Sequence, residues 1–236
     1  MINPSGGIMC AGKGTRLHRL GMKPLVLVED RSLIHRALDF FSEASINDVT
    51  LAAGKNADEI GKHLEPQFHR TKIVRDITGT GTGAAVYELL KHANDDGIVI
   101  ATVDTIATRN VISKLIQYVS QLESDLVAVF VVTTFVHDEK PIWISHSEEK
   151  VYGFSKSLNP TGTVFGNIRW LSKMACDDLL RREQRADGKD SLLMQGLIDR
   201  FQDRVGFYVH NPIFDVDTPE DCRLASEWLR ENVDER

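Results

Sequence analysis

Short apolar segments alternate with amphipathic segments through the first half of the chain, and this pattern limits the possible folds more than any other feature. Residues 6–11 (GGIMCA), 48–53 (DVTLAA) and 97–103 (GIVIATV) are typical of buried strands. From about Leu33, apolar residues recur at helical spacing, which predicts a helix, and we predict that Ser32 is its N-cap. Strands that alternate with helices predict an α/β fold with a largely parallel sheet.

The second half of the chain has a different pattern. The segments PIWIS and KVYGFSK alternate apolar and polar residues on either side of the polar turn 146–149, which predicts an antiparallel hairpin. A last helix is predicted from Pro219, with Thr218 as its N-cap. The remaining predicted elements are strands at 72–74, 126–134 and 205–210 and helices at about 57–64, 84–93, 110–122, 173–185 and 191–201.

Charge and cysteine content narrow the class of protein. The 28 Lys and Arg residues are outnumbered by 34 Asp and Glu residues, and the net charge of -6 disfavours a broad nucleic-acid surface. The cysteines, at positions 10, 176 and 222, form no CxxC pair, so we expect neither a disulfide framework nor structural zinc. The sequence shows no export signal and no run of the roughly 18 to 20 apolar residues that span a membrane. We therefore expect a cytoplasmic protein that binds neither nucleic acid nor membrane.

The segment AGKGTRL combines glycine with positive charge directly after the first predicted strand. Its residues are Ala11, Gly12, Lys13, Gly14, Thr15, Arg16 and Leu17. Lys23 follows in the sequence and is directly succeeded by Pro-Leu. Glycines let backbone N–H groups approach phosphate oxygens, and Lys13, Arg16 and Lys23 supply the charge that a triphosphate requires. The segment is neither a Walker loop nor a GxGxxG fingerprint. It predicts an anion-binding loop; the alternative is a turn that needs glycine for its geometry alone.

Two aspartates are candidates for metal binding. Asp104 ends the most strand-like apolar run, and Asp217 lies in DVDTPED at residues 215–221. Mg²⁺ is held in proteins by one or two carboxylates together with substrate phosphates, so two carboxylates that meet at the strand ends would suffice. The alternative is that Asp104 caps the next turn and Asp217 merely precedes a helix. Whether Asp215 shares the metal with Asp217 stays open.

These motifs, in this order, resemble the nucleotidyltransferase superfamily of sugar-nucleotide pyrophosphorylases and their relatives. Its signature is an apolar strand, AGxGTRL, and then a lysine followed by Pro-Leu, which stands here as AGKGTRL and KPL. The resemblance implies an α/β, Rossmann-like three-layer sandwich of the GT-A kind, with a mixed, mainly parallel sheet and a small acceptor-side β-hairpin. It also implies that Asp104 and Asp217 bind Mg²⁺. Arg16 would neutralise the β and γ phosphates of an NTP, and Lys23 the charge at the α-phosphorus.

The resemblance also implies where the nucleotide and the acceptor bind. In relatives, the segment before the third helix touches base and ribose, which assigns nucleotide binding to Gly81 and Thr82 as well as to residues 11–15. The relatives' base-reading glutamine falls near Gly79, so the identity of the base stays open. KVYGFSK and VFGNI are similar to acceptor motifs, a GxxxxxEKP strand and an NAGI-like turn. They assign the acceptor phosphate to Lys156 and an acceptor hydroxyl to Asn167, although serines replace the Glu and Pro of the first motif.

The predicted reaction is Mg²⁺-dependent transfer of a nucleoside monophosphate from an NTP to a phosphorylated small molecule, with release of pyrophosphate. The acceptor motifs favour a sugar 1-phosphate over phosphocholine, methylerythritol phosphate or a molybdopterin. A GT-A-type glycosyltransferase using Asp215-Val216-Asp217 as a DxD motif, and a non-catalytic nucleotide-sensing homologue, stay open. We expect one domain over 1–236, in which 1–134 bind the nucleotide and 135–236 bind the acceptor and close the site. A homo-oligomer is compatible with the sequence, which leaves the pathway open.

Overall fold

The computed structural model describes residues 1–12, 14, 16–17, 20–68, 70–79, 81–122, 125–137, 140–147, 150–157, 161–182 and 188–232. Strands and helices alternate as the sequence pattern predicts. The strands are β1 (Ser5–Met9), β2 (Leu27–Val28), β3 (Arg31–Ser32), β4 (Val49–Ala52), β5 (Lys72–Val74), β6 (Ile98–Thr102), β7 (Thr105–Ile106), β8 (Ala128–Thr133), β9 (Trp143–Ser147), β10 (Lys150–Ser155), β11 (Val164–Leu171), β12 (Val205–Val209) and β13 (Phe214–Asp215). The helices are α1 (Leu33–Glu43), α2 (Ala57–His63), α3 (Gly81–Leu90), α4 (Val111–Gln121), α5 (Lys173–Arg182), α6 (Asp190–Phe201) and α7 (Pro219–Glu231).

One nine-stranded sheet organises the molecule, with strand order β5-β4-β1-β6-β11-β8-β12-β10-β9. Strands β5, β4, β1 and β6 are parallel, as are β8 and β12. Strand β11 runs antiparallel to both of its neighbours, β6 and β8. The predicted hairpin is confirmed as β9 and β10, which pair antiparallel at one edge of this sheet. The mixed α/β sheet predicted from the sequence is therefore confirmed.

Helices cover both faces of the sheet. Helices α1, α4 and α7 bury their apolar sides on one face, and α3, α5 and α6 bury theirs on the other. Each fully buried large apolar side chain contributes about 1.5–3 kcal/mol relative to exposure. The chain is close-packed even at β1, where a Cβ on Gly6 would lie 2.7 Å from the Phe41 ring. Strands and helices thus form the three layers that the resemblance implies.

The two predicted N-caps differ in their chemistry. Thr218 begins α7 with a capping box, because its side chain accepts from the backbone N–H of Asp221 while the Asp221 side chain accepts from Thr218 N. Ser32 precedes α1 as predicted, but its side chain makes no cap hydrogen bond. The Ser32 hydroxyl instead contacts His35 Nδ1 at 2.7 Å. The predicted N-cap position of Ser32 is therefore confirmed, although its side chain does not satisfy a backbone N–H of the first turn.

Strand β11 corrects the interpretation of VFGNI as a turn. The segment opens an eight-residue strand, which lies between β6 and β8 in the sheet. Asn167 adopts a left-handed backbone conformation with φ of 60°, and the pairing with β8 shifts register between Phe165 and Arg169. The segment that resembles an NAGI-like turn therefore forms an irregularity within a strand.

No helix among the described residues combines the length and the apolar character needed to cross a membrane.

Candidate active site

The glycine loop after β1 forms one wall of a cavity of about 700 Å³, lined in part by Ala11, Gly12 and Gly14. Gly14 has a φ of +55°, and a Cβ there would lie 2.6 Å from Lys23 Cβ. Both facts require glycine at this position. Leu17 is fully buried and donates its backbone N–H to Gly14 O at 3.0 Å, which fastens the loop to the core. Lys13 and Thr15, also predicted to bind nucleotide, lie outside the described residues.

The start of α3 forms another part of the wall. Gly81, Thr82 and Ala85 line the same cavity. The helix begins at Gly81, three residues before the predicted start, so both predicted nucleotide-binding residues lie in its first turn. The backbone N–H groups of a first helical turn lack intrahelical partners and attract anions or ligand acceptors. The structure therefore brings Gly81 and Thr82 to the same cavity as the glycine loop.

Three carboxylates form a cluster beside this cavity, and two of them, Asp104 and Asp217, line it. Asp104 follows β6, and the two-residue strands β7 and β13 pair antiparallel to bring Asp215 beside Thr105. The backbone N–H of Val216 donates to Asp104 O at 2.9 Å. One carboxylate oxygen each from Asp104, Asp215 and Asp217 lies within 4.8 Å of the others. Asp215 thus joins the two predicted aspartates in one cluster.

The α7 cap holds Asp217 in place. Asp221 Oδ2 accepts the backbone N–H of Asp217 at 2.8 Å and that of Thr218 at 2.7 Å. These charge-assisted bonds fix the backbone directly before the helix. The capping box therefore has two roles, because it begins α7 and also fixes the backbone of Asp217, whose carboxylate belongs to the cluster.

Two cations complete the cluster. Lys23 is 8% exposed and its Nζ contacts Asp104 and, at 2.5 Å, Asp217 Oδ1. Arg16, on the glycine loop, pairs with the other oxygen of Asp217. Burial alone would lower the pKa of Lys23, but the carboxylates of Asp104 and Asp217 outweigh burial and raise it above its ordinary value. Lys23 is therefore a permanent cation that is available to neutralise negative charge at the cavity floor.

A second, smaller cavity of about 190 Å³ adjoins the first and shares Arg16 and Asp217 with it. Asn167, which the resemblance assigns to an acceptor hydroxyl, is one of its lining residues. His137 and Lys140 also line it and were missed, because they follow a strand without forming a recognisable motif. The remaining lining residues are Thr133, Phe135, Pro141, Ile142, Val164, Phe165, Ile213 and Asp215.

Two residues near the cavities have properties that limit their roles. Lys156 is exposed, is not among the described residues that line either cavity, and has its pKa lowered by the neighbouring Lys189. Its assignment to an acceptor phosphate stays a prediction. Cys10 lines the larger cavity, but burial and the charge of Asp104 raise the pKa of its thiol. A neutral thiol is a poor nucleophile, so covalent catalysis by Cys10 is disfavoured.

Comparison with known proteins identifies a matching family. A model of the MobA-like NTP transferase domain matches residues 6–188. A Rubrobacter xylanophilus protein described as a bifunctional IPC transferase and DIPP synthase is 24% identical over 238 residues, which cover 94% of this chain and 51% of that protein. The bifunctional protein GlmU of Psychrobacter cryohalolentis is 29% identical over 92 residues, which cover 38% of this chain and 20% of that protein. The chain therefore spans from a fifth to about half of the length of these relatives.

The fold also matches a solved structure. A Bacillus anthracis protein described as a glucose-1-phosphate thymidylyltransferase, crystallised with sucrose, superposes with a TM-score of 0.78 at 16% identity. The match covers 96% of this chain and 95% of that protein. At this identity the likeness shows a shared fold.

Proposed function

We propose that this chain, which belongs to the MobA-like NTP transferase domain family, transfers a nucleoside monophosphate from an NTP to a phosphorylated small molecule and releases pyrophosphate. One observation carries the proposal: two cavities of about 700 and 190 Å³ meet at Arg16 and Asp217, beside a cluster of three carboxylates. The larger cavity suits the nucleotide and the smaller one suits the acceptor. Residues 1–134 then supply most of the nucleotide site, and 135–236 most of the acceptor site.

The reaction is a direct displacement at phosphorus. An oxygen of the acceptor phosphate attacks the α-phosphorus and forms a new P–O bond, while the bond from the α-phosphorus to the bridging oxygen breaks and pyrophosphate leaves. Catalysis of this kind depends on positioning and on stabilising charge rather than on a protein nucleophile. Arg16 neutralises the β and γ phosphates, and Lys23 the charge that develops at the α-phosphorus. The glycine loop and the first turn of α3 orient the nucleotide through backbone N–H groups.

The carboxylate cluster fits Mg²⁺. Its donors are hard oxygen atoms, which suit this ion. Asp104 Oδ1 is buried and accepts no hydrogen bond from the described residues, an arrangement that a bound cation would relieve. Bound Mg²⁺ supplies charge neutralisation for the phosphates. Asp104 and Asp217 hold it in this proposal, and Asp215 lies close enough to take part.

A sugar 1-phosphate is the favoured acceptor class. The structural relative from Bacillus anthracis is described as a glucose-1-phosphate thymidylyltransferase, which supports this class. Asn167 offers an amide to a hydroxyl at the wall of the smaller cavity, and Arg16 and Lys140 offer positive charge to a phosphate there. Lys156 would have to reach the acceptor from outside this cavity to play its predicted part.

Pyrophosphate release tests the proposal. The protein is incubated with each NTP singly and with pooled sugar 1-phosphates or pooled non-sugar acceptors, with MgCl₂ or with EDTA. Release that requires one base and one acceptor pool, and that EDTA abolishes, supports the proposal and identifies both substrates. Cleavage of nucleotide sugars without pyrophosphate release would favour a glycosyltransferase, and NTP binding without turnover would favour a sensor.

A further inference from the structure

An arginine lies fully buried behind the active site. Arg169 on β11 is 0% exposed, and its Nη1 donates to Asp190 Oδ2 at 2.7 Å, at the start of α6. Its guanidinium lies 5.7 Å from the centre of the Phe165 ring. Neither Arg169 nor Asp190 was singled out from the sequence, and Asp190 lies beyond the 6–188 segment that the family model matches.

The pair is a poor device for stabilising the fold. Removing two charges from water has a large free-energy cost. The attraction within a single ion pair offsets this cost only when the remaining polar atoms of both side chains also make hydrogen bonds. Here Arg169 Nε and Asp190 Oδ1 are buried and make no hydrogen bond with the described residues. Burial also raises the pKa of Asp190, and Arg169 offsets only part of that effect. An apolar pair of similar size should therefore hold the same core.

The contacts of the pair reach both cavities. Arg169 Nη2 lies 3.7 Å from Met9 Sδ, and Met9 lines the nucleotide cavity. The Phe165 ring next to Arg169 lines the acceptor cavity. On the other side, the backbone N–H of Asp190 donates to Thr82 Oγ1 at 2.9 Å, in the first turn of α3. One buried ion pair thus joins a wall residue of each cavity to the helix start that closes the nucleotide site.

We propose that the Arg169–Asp190 ion pair is a positioning element that holds the nucleotide cavity and the acceptor cavity at their working separation. The inference rests on the proposed nucleotidyl transfer. Arg169 acts on Met9 and Phe165, and Asp190 acts on Thr82, without either touching substrate. Because reaction rates are sensitive to shifts of about 1 Å between reacting groups, loss of the pair should affect catalysis more than folding.

The double variant R169M/D190L is the informative one. It replaces both charges with apolar side chains, whereas Arg169→Met alone would leave the Asp190 carboxylate buried without its cation. The matched control is Arg200→Met, which removes an ion pair between α6 and Asp178 of α5 at residues that line neither cavity among those described. Arg169→Lys is the conservative variant, which keeps the charge but cannot contact both Asp190 Oδ2 and Met9 Sδ as the two Nη atoms of Arg169 do. Thermal unfolding, Kd for the NTP, kcat and both KM values are measured for each protein.

The expected result separates stability from catalysis. R169M/D190L should unfold within a few degrees of wild type, yet lose about tenfold to a hundredfold in kcat and bind the NTP more weakly. Arg169→Lys should recover part of this loss, and Arg200→Met should show none of it. Wild-type values of kcat, Kd and both KM in the double variant would overturn the positioning role while leaving the proposed function intact. A wild-type protein that binds no NTP would overturn the proposed function and this role with it.

Discussion

Replacing Lys23 with methionine should destabilise the carboxylate cluster in a way that Mg²⁺ reverses. Oxygens of Asp104, Asp215 and Asp217 lie within 4.8 Å of one another. At that separation two unit charges repel by roughly 3.5 kcal/mol with an effective dielectric constant of 20. Side-chain exposures of 19% for Asp104 and 25% for Asp217 reduce this effect through solvent screening. We therefore expect the free energy of unfolding to fall by about 2 kcal/mol, or about 4–8 °C in Tm for a chain of this size.

Thermal unfolding in EDTA and in MgCl₂ measures this effect. Lys23 occupies the cluster as its resident cation, so Mg²⁺ should raise the Tm of Lys23→Met by more than it raises the Tm of wild type. The matched control is Lys72→Met, which removes a surface pair between side chains that are 54% and 55% exposed. Such pairs are worth about 0–1 kcal/mol, so the control should unfold close to wild type in both conditions.

Catalysis provides the second readout for the same variant. Lys23→Met should lower turnover by orders of magnitude even in MgCl₂, because the proposed mechanism assigns the charge at the α-phosphorus to the Lys23 ammonium group. A Lys23→Met protein as stable as wild type in EDTA, or stabilised by Mg²⁺ no more than wild type, would refute the charge-repulsion argument. Near-normal turnover would refute the catalytic assignment.

Three further predictions concern the loop, the cap and pH. Gly14→Ala forces a Cβ to within 2.6 Å of Lys23 Cβ at a φ of +55°, and should raise Kd for the NTP in a titration; unchanged binding would contradict the assignment of the glycine loop to nucleotide binding. Thr218→Ala removes the cap beside Asp217 and should cost about 1 kcal/mol in urea unfolding and weaken the Mg²⁺ response, whereas a stability loss alone would leave the cap purely structural. Burial first, and then the charge of Lys114, lower the pKa of His210 to about 4. A lowered pKa in the folded state makes protonation unfavourable, so wild type should lose about 3 kcal/mol as pH falls from 7 to 4, and His210→Asn should lose less; parallel pH profiles would reject this.

Local patterns in the sequence predict many of the strands and helices of the fold. The short, continuous apolar runs of β6 and β8 indicate strands buried on both faces, and the apolar residues of α1 recur at helical spacing. The α7 start is equally local, since Thr218 and Asp221 satisfy each other's backbone groups within one turn. The resemblance of VFGNI to an NAGI-like turn did not reveal strand β11, because a strand irregularity and a turn can use the same residue types.

Sequence alone identified the glycine loop, the cations Arg16 and Lys23 and the two aspartates that the structure brings together, because these motifs are short and their chemistry is carried by residue type. Only the tertiary structure decided what those residues meet. Arg16 and Asp217 are 201 positions apart, and Asp215 enters the cluster only because β13 pairs with β7. The smaller cavity around His137 and the buried Arg169–Asp190 pair likewise depend on strand order and on which faces of distant elements pack together. Contacts of this kind depend on the packing and solvation free energy of the whole folded chain, and a short segment of sequence does not specify them.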